Sequence, residues 1–497
     1  MSAAKRDPSS TATTQTTERT EPTEPTQTTE PTELVYDEWM SESDALIWRV
    51  ERNPLLRSTI ASVWILDHAP TRRRMDDAVA HALERLPRLR QRVVDDPVTT
   101  PRWADDPYFN VDAHYSWARL PGKKVKRRDV LAYAARLADR SFDRDRPLWE
   151  LVVIDGLTNG RAAIVMKVHH AIADGLGMVE MLAHLVDLDP DGPADGGDNA
   201  VVLEAARASA IARMPARALL HRAAQDASTG RRFGEATMRA AADLARDPIG
   251  SVQRLGRTTG SVARVVKPTT TPLSTLLTER SMSSRFDVVR RPLADIKRSA
   301  RAAEGTVNDA FVAIVLDGLW RYHDAFNEPC DRLRLHMPIS VRTADEVGDA
   351  TNRFVPTRME IDVGDLAPLD RVRAVRTTLR AARNEPALRY VNDISAAIGR
   401  LGATTAVSIL GSMMQGCDVT ASNVPGPPFP VWSGGAQIKQ FYAFGPLAGS
   451  AVNITLFSYD GTVHLAAHSD RAAVTDGDLF RRSLEDATDA LIEAATQ

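Results

Sequence analysis

The stretch Val168-His169-His170-Ala171-Ile172-Ala173-Asp174-Gly175 combines the chain's most reactive residue types at close spacing. It follows an uninterrupted apolar run, Ala162 to His169, that reads as a buried strand, and it precedes Gly175 to Leu188, whose apolar spacing is helical. Successive side chains of an extended segment face opposite sides, so His169 and His170 look in opposite directions and do not share a metal ion. One ring is thus available to a substrate at the strand end while the other packs or hydrogen-bonds within the fold. An imidazole with an ordinary pKa of about 6.5 is largely neutral at cytosolic pH, the state a general base needs. Asp174, four residues after His170, is placed to organise the turn through a backbone or arginine hydrogen bond, and Gly175 suits a tight turn.

Other chemistries lack their residues. There is no G-x-S-x-G elbow, no phosphate-binding loop, no G-x-G-x-x-G and no H-E-x-x-H, which removes the main support for serine-hydrolase, nucleotide and zinc-protease readings. The two cysteines, Cys330 and Cys417, are not paired at C-x-x-C spacing, so neither a disulfide framework nor a cysteine zinc site is expected, and a reducing cytosol fits. A net charge of −3 offers no global positive field for nucleic acid. No apolar h-region of a signal peptide follows Met1, and the run Leu401 to Met414 is shorter than the roughly 18–20 residues of a spanning helix, so it reads as a core helix. Membrane contact is then peripheral.

The elements that must hold the histidines follow from periodicity and composition. A length of 497 residues with 43% hydrophobic and 26% charged side chains fits a soluble protein of two or three domains. Residues 1–34, rich in Thr, Glu and Pro, read as a disordered tail. Ser41 and Asp44 have the capping spacing of a helix start. Within 35–190, strands are expected at Ser58 to Leu66, Leu148 to Ile154 and Ala162 to His169, with helices at Asp76 to Leu86 and Asp129 to Ser141. Residues 191–275 form an Ala/Arg-rich connector, in which Val201 to Lys267 holds twelve basic and five acidic residues. It reads as a solvated helical linker or as a surface for anionic lipid.

From 276 to 497 the α/β pattern resumes. Strands are expected at Ser284 to Val289, Leu333 to Ile339, Gln437 to Phe441, Val452 to Tyr459 and Thr462 to His468. Helices are expected at Leu293 to Ala303, Val307 to Ala325, near 368–384 and 392–416, and from Asp476 to Ala494. Asn423 to Pro427 reads as a rigid turn. The fold class is α/β, with mixed sheets covered by helices and comparable elements in the two halves.

His169, His170, Asp174 and Gly175 make an HHxxxDG motif, which resembles the signature of the CoA-dependent acyltransferase superfamily. That motif alone does not separate chloramphenicol acetyltransferase-like enzymes from condensation domains. Further segments are similar to the bacterial wax ester synthase/diacylglycerol acyltransferase family. They are Ser43 to Leu46, Pro147 to Glu150, Thr306 to Asp309, Pro338 to Arg342, Asn352, Asn423 to Pro427 and Ser458 to Gly461, in that family's order. The Thr/Glu/Pro tail has no counterpart in it, and the stretch before Arg285 departs from an Asn-Gly-Pro start.

The resemblance implies two chloramphenicol acetyltransferase-like domains with a tunnel between them and the histidine motif at its centre. Acyl-CoA, a co-substrate and the only coenzyme implied, would enter one mouth, and diacylglycerol or a fatty alcohol the other. A thioester is already activated, so no enzyme nucleophile is needed. His170 would be the general base, His169 its support, and Asp174 and Gly175 the shape of the loop. Asn308, Asp309, Asn423 and Arg342 would contact substrate. Each also has a plain structural alternative, since Asn308 and Asp309 suit a helix cap and Arg342 an ion pair. The rival readings are an enzyme of the same superfamily with another acceptor or a carrier-bound donor, and a non-catalytic protein of lipid droplets. The implied location is the cytoplasm, with peripheral contact to the inner membrane or lipid droplets.

Overall fold

The computed structural model describes residues 38–95, 99–172, 181, 183–191, 271–340, 354–384, 405, 408, 411, 414 and 416–497. The expectations for the 1–34 tail, the basic 201–267 stretch and most of the helices at 175–188 and 392–416 lie outside them.

The chain opens with α1, Glu42–Val50, capped as its sequence predicts: Ser41 Oγ accepts from the Asp44 N–H at 3.1 Å and donates to the Asp44 carboxylate at 2.7 Å. Strand β1, Thr59–Leu66, is mostly apolar and nearly all buried because both of its faces are covered. Ala61, Val63 and Ile65 pack with α3, Arg127–Asp139, while Trp64 and Leu66 pack with α2, Arg72–Arg85. A short hairpin of β2, Gln91–Val94, and β3, Arg102–Asp105, precedes β4, Tyr115–Arg119. Strands β5, Trp149–Asp155, and β6, Ala162–His169, complete the first half, with the Trp149 indole buried and donating to Leu89 O at 2.7 Å.

In the second half, β7, Ser284–Pro292, leads into α4, Leu293–Ala302, and α5, Val307–Asp324. Helix α5 is apolar nearly all round because it runs through the core. The half continues with β8, Arg332–Ser340, β9, Phe354–Asp362, and α6, Pro368–Arg383, followed by β10, Val419–Pro425, and β11, Trp432–Ser433. It closes with β12, Ala436–Phe444, β13, Val452–Tyr459, β14, Thr462–Asp470, and α7, Gly477–Ala494.

Two six-stranded mixed sheets result, in the orders β11-β12-β1-β6-β5-β4 and β7-β14-β13-β10-β8-β9. The first contains β11 and β12, which belong to the 276–497 stretch, so the chain-order division into halves is crossed by two strands. Pairing of β12 with β1, Ala61 opposite Phe444 and Trp64 opposite Phe441, extends the first sheet on its β1 side. Helix α3 lies at the seam, sharing a cluster with Phe286 and Val288 of β7, and Asp139 Oδ2 accepts the Ser284 N–H at 3.0 Å.

One expectation is corrected here. Asn423 is not in a turn but in β10, a strand paired in parallel with β13, Asn423 opposite Leu456. Asn and Pro weigh toward a turn in sequence, yet Pro425 is the last strand residue, where no further ladder donor is needed. Among the described residues no helix is long and apolar enough to cross a membrane.

Candidate active site

Strand β6, Ala162–His169, presents its side chains alternately, and His170 follows its last residue. Ala163 and Val165 face the α3 cluster, while Ile164, Met166 and Val168 face the α2 cluster. His169 is buried to 1% exposure, whereas His170, one residue past the strand, is half-buried. The backbone at the strand end is fixed from both sides: the His169 N–H donates to Leu148 O at 3.0 Å and the His170 N–H to Ser58 O at 2.8 Å.

The His169 ring is held from both nitrogens, by a hydrogen bond at Nδ1 and an ion-pair contact at Nε2. Its Nδ1 accepts the Ala171 N–H at 3.0 Å, so the neutral ring carries its proton on Nε2. That nitrogen lies 3.0 Å from Glu51 Oε2, an oblique charge-assisted contact. Trp48 and Phe142 stand edge-on to the ring, with centroids at 5.6 and 6.0 Å, and Arg144 sits 3.5 Å over Trp48. Glu51 also accepts the Ser58 N–H through Oε1. Burial by itself would raise the Glu51 carboxyl, but the His169 ring, the Ser58 N–H and Arg144 outweigh it and hold the group below the usual carboxylate range.

Trp48, Glu51, Arg57, Phe142, Arg144 and His169 line a cavity of about 560 Å³, partly open to solvent. A second cavity of about 490 Å³ shares Pro54, Arg57 and Thr59 with it and extends to Arg280, Ser284, His468 and Asp470 of the second half. His170 lines neither. Beyond it, Ala171 and Ile172 enter one apolar cluster with Phe441 and Phe457 and with Val424 packed against it. That cluster joins the histidine loop to β10 and β13 of the second sheet.

Asn423 is the neighbour of Val424 on β10, and its Nδ2 donates to Asn308 Oδ1 at 3.3 Å. Asn308 is buried in the first turn of α5, with its own Nδ2 directed at the Met337 sulfur 3.9 Å away. Two of the residues picked from sequence are therefore brought together. Asp309 completes a capping box, accepting from Thr306 N at 2.7 Å and Thr306 Oγ1 at 2.8 Å. Asp174, Gly175, Asn352 and Arg342 lie outside the described residues. Glu51, Trp48, Phe142 and Arg144 were not singled out in sequence. The available signal was a lone acid one residue after the end of α1, which points to no partner until β1 and β6 pair.

Two mixed sheets, a seam between them and a histidine pair at a strand end there agree with what the chain resembles. A model of the wax ester synthase/diacylglycerol acyltransferase catalytic domain matches residues 40–311, and one of the C-terminal domain matches residues 351–492. The chain belongs to the wax ester synthase/diacylglycerol acyltransferase family. A Mycobacterium tuberculosis protein provisionally named a diacylglycerol O-acyltransferase is 33% identical over 458 residues, 91% of each chain. A second from that organism, tgs1, is 27% identical over 82% of this chain and 84% of its own.

Among solved structures, the wax ester synthase/diacylglycerol acyltransferase of Marinobacter aquaeolei VT8 superposes with a TM-score of 0.62 at 18% identity, covering 93% of this chain and all of that one. The first condensation domain of the calcium-dependent antibiotic synthetase follows, at 0.57 and 14% identity, covering 93% of this chain and 96% of that domain. At such identities these likenesses show the shared fold. As a member of the wax ester synthase/diacylglycerol acyltransferase family the chain is an acyltransferase, with the two-domain acetyltransferase-like architecture expected from its motifs.

Proposed function

We propose that this enzyme transfers a long-chain acyl group from acyl-CoA to diacylglycerol or a fatty alcohol, with His170 as general base. The observation that carries this reading is the placement of His170. It is half-buried just past the end of β6, held through its backbone to Ser58, and followed by Ala171 and Ile172, whose cluster joins the two halves. In the proposed step the acceptor hydroxyl gives its proton to the imidazole as its oxygen attacks the thioester carbonyl. The tetrahedral oxyanion then collapses with loss of CoA thiolate, and the imidazolium returns the proton to sulfur. General acid–base assistance of this kind contributes about 10²–10⁴-fold. Asn308, whose Nδ2 has a weak sulfur acceptor, is the proposed donor to the oxyanion, held in place by Asn423. Both substrates are lipidic, so the proposed workplace is a membrane or lipid-droplet surface.

The test is incubation of the full chain with palmitoyl-CoA and either hexadecanol or diacylglycerol, measuring free thiol and identifying the ester. The expected result is thiol release matched by wax ester or triacylglycerol, and its loss in His170→Ala with the fold intact. Near-normal turnover by His170→Ala removes the proposed base, and no thiol release with any alcohol removes the activity.

A further inference from the structure

Glu51 is a carboxylate at 12% side-chain exposure whose two oxygens are directed at two different segments. Oε1 accepts the Ser58 N–H, and the Ser58 carbonyl in turn accepts the His170 N–H at 2.8 Å. Oε2 meets His169 Nε2 at 3.0 Å, and the other nitrogen of that ring accepts the Ala171 N–H at 3.0 Å. Both arms end on the backbone that bears His170: one at its own amide, the other at the amide that follows. We propose that Glu51 is a positioning residue of the transfer reaction, setting the orientation of His170 through Ser58 and His169.

The chemistry of the contacts makes the requirement specific. Both groups that Glu51 receives are donors, the Ser58 N–H and the His169 Nε2–H, because Nδ1 is committed as an acceptor. A carboxylate has two acceptor oxygens, one accepting the Ser58 N–H and the other in ion-pair contact with His169 Nε2 at 3.0 Å. A glutamine has one acceptor and one donor of the same shape, so one arm meets donor against donor whichever way the amide turns. The loop then relaxes at its strand end. A displacement of about 1 Å in a group that must meet a reacting hydroxyl is enough to cost about 100-fold in rate. Glu51 makes this contribution through Ser58 and His169, so no contact with the reacting atoms is needed.

The inference rests on His170 being the base, and the test separates the two. Glu51→Gln, His170→Ala and the double variant are assayed with palmitoyl-CoA and diacylglycerol or hexadecanol, each checked by circular dichroism and thermal unfolding. For Glu51→Gln the expected result is a fall in kcat of about 10- to 100-fold with KM for both substrates within about twofold. The double variant is expected to be no slower than His170→Ala, because a residue acting only through His170 has nothing left to position. A folded Glu51→Gln with wild-type kcat overturns the assignment, and so does a rise in KM at unchanged kcat. Should Glu51→Gln not fold, His169→Gln is read by the same criteria. If His170→Ala turns over normally, the base and its positioning residue both fall. If His170→Ala is inactive while Glu51→Gln is normal, only the role of Glu51 falls.

Discussion

Asn423 and Asn308, 115 residues apart, meet through an amide hydrogen bond of 3.3 Å that ties β10 to the first turn of α5. Helix N-termini present unpaired N–H groups and a positive dipole end, so a neutral amide held there suits a developing negative charge. If Asn308 donates to the oxyanion, Asn308→Ala lowers kcat by about 10²–10³-fold, the usual cost of removing one such donor. Asn423→Ala, which removes only the support, is expected to cost less, about tenfold. Steady-state kinetics with palmitoyl-CoA distinguishes them, and equal losses would place both amides on the substrate.

Acid stability should depend on His464. Burial, with Arg290 and Arg127 nearby, pushes this imidazole down to about 3. Its unfolded value is about 6.5, so between those two pH values the unfolded chain binds a proton that the folded chain does not. The stability His464 contributes by being neutral is therefore complete above pH 6.5 and lost as pH falls toward 3, at about 1.4 kcal/mol per pH unit. Urea unfolding at pH 7 and pH 5.5 should show His464→Leu less pH-sensitive than the parent by about that slope, and identical slopes would refute it.

Gly426 follows β10 directly, its N–H donating to Ser458 O at 3.0 Å, and a Cβ there would overlap the ring of Phe457. Gly426→Ala should destabilise the protein by about 1–3 kcal/mol, the range for overpacking a filled site. Because β10 also carries Asn423, kcat should fall along with the unfolding midpoint. An unchanged midpoint would mean that both the ring and the Ser458 carbonyl, which the Cβ would also meet, give way without cost.

For the basic 201–267 segment, flotation with anionic liposomes tests the proposed surface contact. Each near-surface basic residue contributes about 1 kcal/mol on anionic lipid, so Arg231→Glu/Arg232→Glu should cut the floated fraction sharply, and more so at low salt. Equal flotation of variant and parent would discard the contribution of that pair.

What was legible in sequence was whatever depends on neighbours along the chain. The β6 strand that carries His169 follows from its apolar run, and the Ser41 cap from spacing. Glu51 was invisible because its partners Ser58 and His169 come together only when Thr59 pairs with His169 across β1 and β6. Asn423 was misassigned because its residue types favour turns locally, while the parallel ladder to β13 that makes it a strand is set from elsewhere. Strands β4 and β9 were missed for a similar reason. They are sheet edges, where Arg119 and Pro356 are tolerated and the apolar pattern thins.

The passage of β11 and β12 into the first sheet has a practical consequence. A fragment stopping near residue 275 would leave β1 with a bare row of amide and carbonyl groups where Phe441 and Phe444 should lie, an invitation to self-association. The halves are clasped rather than juxtaposed, and neither can be lent to another protein as a working cassette.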